Sequence, residues 1–243
     1  MRKILIFLSI LIFISLIHSR SIRVVTDNYP PYNYREEKEI IGLSTEVVKE
    51  VLKRAGLKYS KIEMKPWPRI YKIALYKKNV LIYSIAKTEK RIKKFNWVGK
   101  IAPFNVFVYS LKNRNITIDG LSDLSKYTIG AVKDDIRAQY LIEKGLKENI
   151  EYADNDWKNI LKLTSKRVDV MLNDNISMNY RLKKRNIDRN KIEKSFKIED
   201  LSNGLYMALS RDTSDEIVEK CKKALEKLKN SGGYKKIIEK YIY

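Results

Sequence analysis

Apolar residues in the first half of the chain recur with two different spacings. Short apolar runs at positions 22–26, 59–64 and 80–85 predict strands, the last of them buried. Between these runs, Gly-Leu-Ser (42–44) opens a predicted helix whose apolar stripe covers positions 47–55 and which Gly56 ends, and a shorter helix is predicted at 69–76. This β-α-β-α-β order is typical of a mostly parallel sheet flanked by helices.

A second α/β unit follows and lies between two parts of the first. Strands are predicted at positions 128–132 and 168–172, and a strand at 205–210 returns to the first unit. Thr213 and Glu216 then form a capping box that begins a helix. We therefore expect an α/β protein of two lobes with two hinge crossings. The first lobe should comprise residues 21–104 and 204–243, and the second the inserted residues 105–203.

The first twenty residues have the pattern of a signal peptide. A short basic start precedes the uncharged run 4–17, which suits a signal-peptide core and is shorter than the roughly 20 residues that a membrane span needs. Ser19 and Ser21 are candidate cleavage points, so we expect residues 1–20 to be removed during export. The alternative is an uncleaved N-terminal anchor. No cysteine lies near the end of the run, which excludes lipid attachment there.

The chain is strongly basic, with 50 Lys+Arg against 29 Asp+Glu and a formal net charge of +21. A basic excess can indicate nucleic acid or an anionic surface as partner. Here lysines occur in every segment, together with many Ile, Asn and Tyr, as biased base composition would produce. We therefore expect no nucleic-acid binding, and weak attraction to anionic membrane surfaces stays an alternative.

Two scarce residue types exclude much enzyme chemistry. The single cysteine, Cys221, excludes an intramolecular disulfide and a Cys-rich zinc site. The single histidine, His18, falls in the predicted signal peptide, so the mature chain has no His-based metal site or catalytic triad. Cys221 lies on the apolar face of a predicted helix and is expected to be a core residue. No cofactor is expected.

Four stretches in a fixed order carry a resemblance to a known family. They resemble the type II periplasmic solute-binding proteins of family 3, the amino-acid-binding class, from about residue 22 to residue 242. The stretches are Thr-Asp-Asn-Tyr-Pro-Pro-Tyr (26–32) with Gly-Leu-Ser (42–44), Ala-Lys-Thr-Glu-Lys-Arg (86–91) with Phe-Asn-Trp-Val-Gly (95–99), Thr-Ile-Gly-Ala-Val (128–132), and Lys-Arg-Val-Asp-Val-Met-Leu-Asn-Asp (166–174).

The resemblance implies a Venus-flytrap receptor of the periplasm. Two lobes would close over a small polar solute, an amino acid or related amine, and present it to the membrane permease of an ABC importer. Such a protein is a monomer without cofactor or enzymatic activity, and it is not inserted in the membrane once the signal is cleaved. In open α/β sheets, the carboxyl ends of strands and the neighbouring helix N-termini form the crevice for ligands.

The resemblance also implies ligand-binding residues. Arg91 matches the arginine that pairs with a ligand carboxylate, and a guanidinium fork suits that role. Asp174 matches the acid that holds a ligand ammonium, although Asp at this position also favours a helix N-cap. Ser84 matches a strand-end position that contacts ligand.

Aromatic and charged residues near these positions complete the predicted site. Tyr29, Tyr32 and Trp67 follow strand ends and are expected to form walls of the cleft. Arg69 is a second basic candidate. Asp135 stands within Lys-Asp-Asp (133–135), where amino-acid binders of the family carry a Gly-Ser/Thr pair. A carboxylate there suits a ligand with extra positive charge or hydroxyls, or it caps a helix.

Two other functional classes remain open from the sequence. The same fold serves as a sensor input or as a cyclohexadienyl-dehydratase-like enzyme, in which Asp134, Asp135 or Asp174 could act as acid or base. A basic surface-adhesion protein with a vestigial cleft is the other alternative.

Overall fold

The computed structural model describes residues 21–133 and 135–242, so the predicted signal peptide, His18 and Asp134 lie outside the described residues. The strands are β1 (Arg23–Thr26), β2 (Tyr34–Glu36), β3 (Glu39–Ile41), β4 (Ile62–Met64), β5 (Val80–Ala86), β6 (Phe95–Ala102), β7 (Val106–Leu111), β8 (Ile129–Val132), β9 (Ile150–Ala153), β10 (Val170–Asp174), β11 (Ile192–Ile198) and β12 (Leu205–Ser210). The helices are α1 (Leu43–Arg54), α2 (Trp67–Tyr76), α3 (Glu89–Ile92), α4 (Ile136–Glu143), α5 (Asp156–Thr164), α6 (Asn175–Lys184), α7 (Asp215–Asn230) and α8 (Gly233–Tyr241). Among these described helices, none is long and apolar enough to cross a bilayer.

Two five-stranded sheets define two lobes. Lobe 1 contains the sheet ordered β4-β1-β5-β12-β6, and lobe 2 the sheet ordered β11-β7-β10-β8-β9. In lobe 1 only β12 runs against its neighbours, and in lobe 2 only β7 does. These are the strands by which the chain enters each lobe from the other. The expectation of mostly parallel sheets in a two-lobe α/β fold is therefore confirmed.

Helices cover both faces of the lobe 1 sheet. On one face, apolar residues of α1, α7 and α8 form a core with β5 and β12. Cys221 is fully buried in this core, and burial raises the pKa of its thiol to about 12, so it is an inert core residue as predicted. On the other face, Ile70 and Ala74 of α2 pack against β1 and β5.

Helices also cover both faces of the lobe 2 sheet. Residues of α5 and α6 pack with β7 and β10 on one face, where Ile160, Leu163 and Met178 are buried. Residues of α4 pack on the other face, and that core continues into lobe 1 through Tyr32 and Leu43. The chain passes between the sheets twice, at 103–105 and 199–204. The two crossings are the connections at which a hinge between the lobes is expected, and the core shared by both lobes packs next to them.

Candidate functional site

A cavity of about 370 Å³ lies between the two lobes. It is formed where β1, β5, β8 and β9 end, which is the usual position of a ligand site in open α/β sheets. A wider groove of about 860 Å³ between α3 and α4 continues outward past Trp67 and Arg91. The charged and aromatic lining of the cavity includes Asp27, Tyr29, Trp67 and Arg91 from lobe 1 and Lys133, Asp135, Arg137, Asp154, Asp156 and Arg181 from lobe 2.

Arg91 brings an incompletely satisfied guanidinium to the lobe 1 wall. Its side chain leaves the short helix α3, is only 7% exposed, and lies 5.0 Å from the ring centroid of Trp67 and 5.2 Å from that of Tyr71. Its Nη1 donates to the Ala86 carbonyl at 3.3 Å. Burial lowers the pKa of Arg91, an effect that Tyr71 and Asp135 oppose. In the part of the chain that the structure describes, no carboxylate forms an ion pair with this guanidinium.

Arg137 on the lobe 2 wall, in contrast to Arg91, has a fully hydrogen-bonded guanidinium. It is 3% exposed, and its Nε and Nη2 donate to the two oxygens of Asp135 at 2.7 and 3.0 Å. Nη2 also lies 2.9 Å from Asp156, and Nη1 donates to Asn173 Oδ1 at 2.7 Å and to the Leu172 carbonyl at 3.3 Å. Each of its five N–H groups thus has an acceptor. Burial alone would lower the pKa of Arg137, but Asp135 and Asp156 raise it.

Asp135 therefore has its hydrogen-bonding capacity committed within lobe 2. Besides pairing with Arg137, its carboxylate accepts from the backbone N–H of that residue at 2.8 Å and so caps α4. Burial raises the pKa of Asp135 and Arg137 lowers it, with a net lowering, so the group stays ionised. Asp135 lines the cavity as a capping and pairing residue.

Asp27 is the acid of the cavity without a charged partner among the described residues. It follows β1, and its Oδ1 accepts a hydrogen bond from Asn33 at 3.1 Å. Burial raises the pKa of Asp27 to about 6, which the Asn33 amide partly opposes. Its carboxylate is thus ionised at neutral pH and available to a cation in the cavity.

Asp174 does not line the cavity. It is fully buried at the start of α6, where its Oδ1 accepts from the backbone N–H groups of Ile176 at 3.1 Å and Ser177 at 2.9 Å. The hydroxyl of Tyr32 donates to the same oxygen at 2.6 Å, and that of Tyr29 donates to Oδ2 at 2.5 Å. Burial raises the pKa of Asp174, and the two tyrosines oppose the rise. Asp174 therefore caps α6, as the helix-capping alternative predicts, and both of its oxygens accept hydrogen bonds from the protein.

The remaining predicted residues divide between the cavity and its surroundings. Ser84 lines the cavity from a bulge in β5, with a left-handed φ of 59°, and its hydroxyl donates to Asn33. Tyr29 and Trp67 also line it, whereas Tyr32 is buried behind it. Arg69 is exposed on α2 and is not part of the lining. The structure therefore brings together Tyr29, Trp67, Ser84, Arg91 and Asp135, and leaves out Tyr32, Arg69 and Asp174.

Six charged residues of the cavity were not among the predicted site residues: Asp27, Lys133, Arg137, Asp154, Asp156 and Arg181. Asp27 stands in the Thr-Asp stretch that carries the resemblance, directly after a predicted strand, so its position could have identified it. Arg137 and Asp156 lie in the first turns of two predicted helices. They form an ion pair because β8 and β9, which precede these helices, are neighbours in the sheet. The spacing of the two residues along the sequence does not indicate this ion pair.

Comparison with known proteins places this architecture in a family. The sequence model of the bacterial extracellular solute-binding proteins, family 3, matches residues 22–243. The histidine-binding periplasmic protein of Escherichia coli (strain K12) is 24% identical over 92% of this chain and 88% of its own length.

Solved structures show the same fold. An ancestral arginine-binding protein bound to arginine has a TM-score of 0.75 at 24% identity, covering 92% of this chain and 99% of its own. A histidine kinase sensor domain with similarity to periplasmic binding proteins has a TM-score of 0.79 at 17% identity, covering 91% and 96%. With the family sequence model spanning both lobes, the chain belongs to the bacterial extracellular solute-binding proteins, family 3.

Proposed function

We propose that this protein captures a small solute with an acidic and a basic group, an amino acid or a related amine, between its lobes and delivers it to an ABC importer. The observation that carries the proposal is the contrast between two buried arginines in one cavity. Arg137 has an acceptor for every N–H, whereas Arg91 has no ion pair among the described residues. A buried cation without a counter-charge is costly, and an anionic ligand group relieves that cost.

The charges of the cavity support a solute that carries both signs. Asp135 and Asp156 are neutralised by Arg137 and Arg181 within lobe 2. Asp154 pairs with Lys158, and Lys133 is exposed to solvent. The remaining charges of the cavity have no ion pair among the described residues, and they are the buried Arg91 guanidinium and the half-buried Asp27 carboxylate, both in lobe 1. We infer that Arg91 holds the acidic group of the solute and Asp27 its basic group.

The aromatic lining and the size of the cavity fit a small ligand. Ligand sites in proteins commonly measure about 300–1,000 Å³, and this cavity measures about 370 Å³. Trp67 and Tyr29 add apolar area, and their rings can also hold a cation. The histidine-binding and arginine-binding relatives take solutes with basic side chains, which suits the carboxylate of Asp27.

A melting-temperature screen of the purified protein tests the ligand class. The panel consists of L-histidine, L-arginine, L-lysine and L-glutamine, each with an analogue that lacks the carboxylate and one that lacks the amino group. We expect a rise in Tm with at least one intact compound and a smaller rise with its decarboxylated analogue. An absence of any rise across the panel, or equal rises with and without the carboxylate, would contradict the proposal.

Two further measurements test what happens to the solute. Recovery of the bound compound unchanged after incubation is expected for a binding protein, and a new product in the NMR spectrum would indicate an enzyme instead. In cells, deletion of the gene should abolish uptake of the labelled solute, and ATP depletion should abolish it equally. Uptake that survives either treatment would contradict delivery to an ABC importer.

A further inference from the structure

Lysines occur in every segment of the chain, but the net basic charge is concentrated in one of them. Positions 65–94 contain ten Lys and Arg residues and a single acid, Glu89. By contrast, the inserted positions 105–203 contain 19 basic and 15 acidic residues. The charge excess per residue is therefore far higher in one segment of lobe 1 than in lobe 2.

The fold gathers this segment on one side of lobe 1. The helix α2 packs on the core that contains Val25, Ile82 and Phe95. The stretch around α3 lies beside α2, because the Arg91 guanidinium lies over the rings of Trp67 and Tyr71 and residues 87–92 line one groove with them. A continuous row of ring contacts joins the two, from Trp67 of α2 through Tyr71 and Phe95 to Trp97 of β6, with centroid separations of 5.5–5.9 Å. Side chains that point away from this layer share one outer surface.

We call this outer surface the basic face, and all of its charged members are exposed to solvent. No ion pair holds any of these side chains within the part of the chain that the structure describes. Four of the ten cations are excluded. Lys65 and Lys90 form ion pairs with Glu63 and Glu143. Lys87 lies over the rings of Trp97 and Tyr206, and Arg91 turns into the cavity. The basic face consists of Arg69, Lys72, Lys77, Lys78, Lys93 and Lys94.

Two exposed apolar side chains accompany these cations. Tyr76, at the end of α2, is 74% exposed, and Ile92, at the end of α3, is 47% exposed. Aromatic and aliphatic side chains among lysines are typical of surfaces that lie on a bilayer, where the cations contact the headgroups and the apolar groups enter the interface.

We propose that the basic face docks lobe 1 on a bilayer that contains anionic phospholipids. Five of its six cations are lysines, which are flexible point charges, whereas bidentate recognition of a specific acidic group favours arginine. Flexible lysines suit the mobile negative charges of lipid headgroups better than they suit an acidic protein surface of fixed shape or sequence-specific contacts with nucleic-acid bases. Docking is peripheral and does not depend on solute binding.

The basic face and part of the cavity wall are carried by the same two helices and the residues that directly follow them. The helices α2 and α3 carry Trp67 and Arg91 to the cavity wall and the basic face to the outside. A bilayer contact on this side therefore holds the mouth of the cleft beside the membrane.

Sedimentation with lipid vesicles tests the proposal. The probes are vesicles of phosphatidylcholine alone and vesicles with phosphatidylglycerol, with the full-length chain in each case. The neutral vesicles measure any contribution that is independent of lipid charge, including that of the apolar run 4–17. We expect binding to the anionic vesicles that disappears as salt rises from about 0.01 M to about 1 M, because the Debye length falls from about 30 Å to about 3 Å.

A matched pair of variants separates the face from overall charge. The face variant carries Lys72→Glu, Lys77→Glu and Lys78→Glu, and the control carries the same exchange at three exposed lysines of lobe 2, Lys147, Lys184 and Lys191. Each basic residue near an anionic bilayer strengthens binding about fivefold, so the loss of three should weaken binding by at least about a hundredfold, and the three introduced carboxylates weaken it further. The control should lose less than about fivefold, since long-range attraction alone changes.

Three results would overturn the proposal. The first is an equal loss of binding in the face variant and the control. The second is equal binding of the wild type to neutral and to anionic vesicles. The third is no detectable binding to vesicles, combined with binding to duplex DNA that the face variant abolishes. Unchanged circular dichroism and Tm of both variants show that a loss of binding is not a loss of folding. Because vesicle binding is measured without solute, its failure leaves the proposed solute binding unaffected.

Discussion

Replacement of Arg91 by methionine should abolish solute binding and leave the fold intact. Methionine keeps an unbranched apolar stem but removes the guanidinium, so the acidic group of the solute loses its partner. Two charge-assisted hydrogen bonds to a carboxylate are worth about 1.5–3 kcal/mol each, or about 3–6 kcal/mol together. At about 1.4 kcal/mol per factor of ten, the expected loss of affinity is about 10²- to 10⁴-fold.

The effect of the same change on stability should be small. The ligand-free protein loses the contacts of the Arg91 guanidinium with Trp67 and Tyr71, each worth about 0.5–2 kcal/mol. It also loses an incompletely satisfied buried charge, and the relief of that desolvation offsets the lost contacts. We expect the free energy of unfolding to change by about 1 kcal/mol or less.

Arg137→Met in the same cavity is the matched comparison. That exchange leaves the half-buried Asp135 without its cation and the buried Asp156 with only the 3.5 Å pair to Arg181, and loss of a partner from a buried ion pair typically costs about 3–5 kcal/mol. Urea denaturation of the ligand-free variants measures both effects, and calorimetry with the solute found in the panel measures the affinity of R91M. The reasoning is refuted if R91M destabilises as much as R137M does, or if R91M binds the solute within about threefold of wild type.

Three further changes probe the carboxylates and one turn. Asp27→Asn should remove a decline in solute affinity between pH 7 and pH 5, because the pKa of about 6 means that the wild-type carboxylate loses its charge in that range. The raised pKa also means that the ionised Asp27 destabilises the fold above pH 6, so D27N should raise the Tm at pH 7 and leave it unchanged below pH 4. Tyr29→Phe should lower the free energy of unfolding by about 1.5–3 kcal/mol, because it removes a hydrogen bond to the buried Asp174, whereas Tyr140→Phe, which removes a solvent-exposed bond, should change it by less than about 1 kcal/mol. Gly42→Ala should prevent stable folding, since φ is 118° and a Cβ would lie 2.6 Å from two carbonyl oxygens; a Tm within a few degrees of wild type would contradict this.

Most of the fold follows from the hydrophobic pattern. The predicted strands at 80–85 and 205–210 and the helix at 47–55 correspond to β5, β12 and α1, because their inner faces are almost wholly apolar. The hairpin β2–β3 was not predicted. Its residues 34–41 are mostly charged, since the hairpin lies on the surface and needs little apolar area.

The cavity was less predictable than the fold, because its chemistry depends on which charges meet. Arg91 and Asp135 were both candidates from the sequence, yet among the described residues Arg91 has no ion pair, whereas Asp135 pairs with Arg137. That difference is decided by Arg137, which stands two residues after Asp135 and reaches it only because α4 begins between them. Spacing along the chain does not reveal with which of two arginines a given carboxylate forms an ion pair.

Asp174 shows how a matched position can take a different role. Its place after β10 is the one that the resemblance predicts, but two tyrosines from lobe 1 deliver their hydroxyls to its carboxylate. A fully buried carboxylate needs several donors, and here two backbone amides and two hydroxyls supply them without a ligand. Tyr29 and Tyr32 are therefore both inter-lobe contacts, and Tyr29 is also a wall residue of the cavity. Removal of the Tyr29 hydroxyl would leave Oδ2 of Asp174 without a donor among the described residues, whereas removal of the Tyr32 hydroxyl would leave Oδ1 with its two backbone donors.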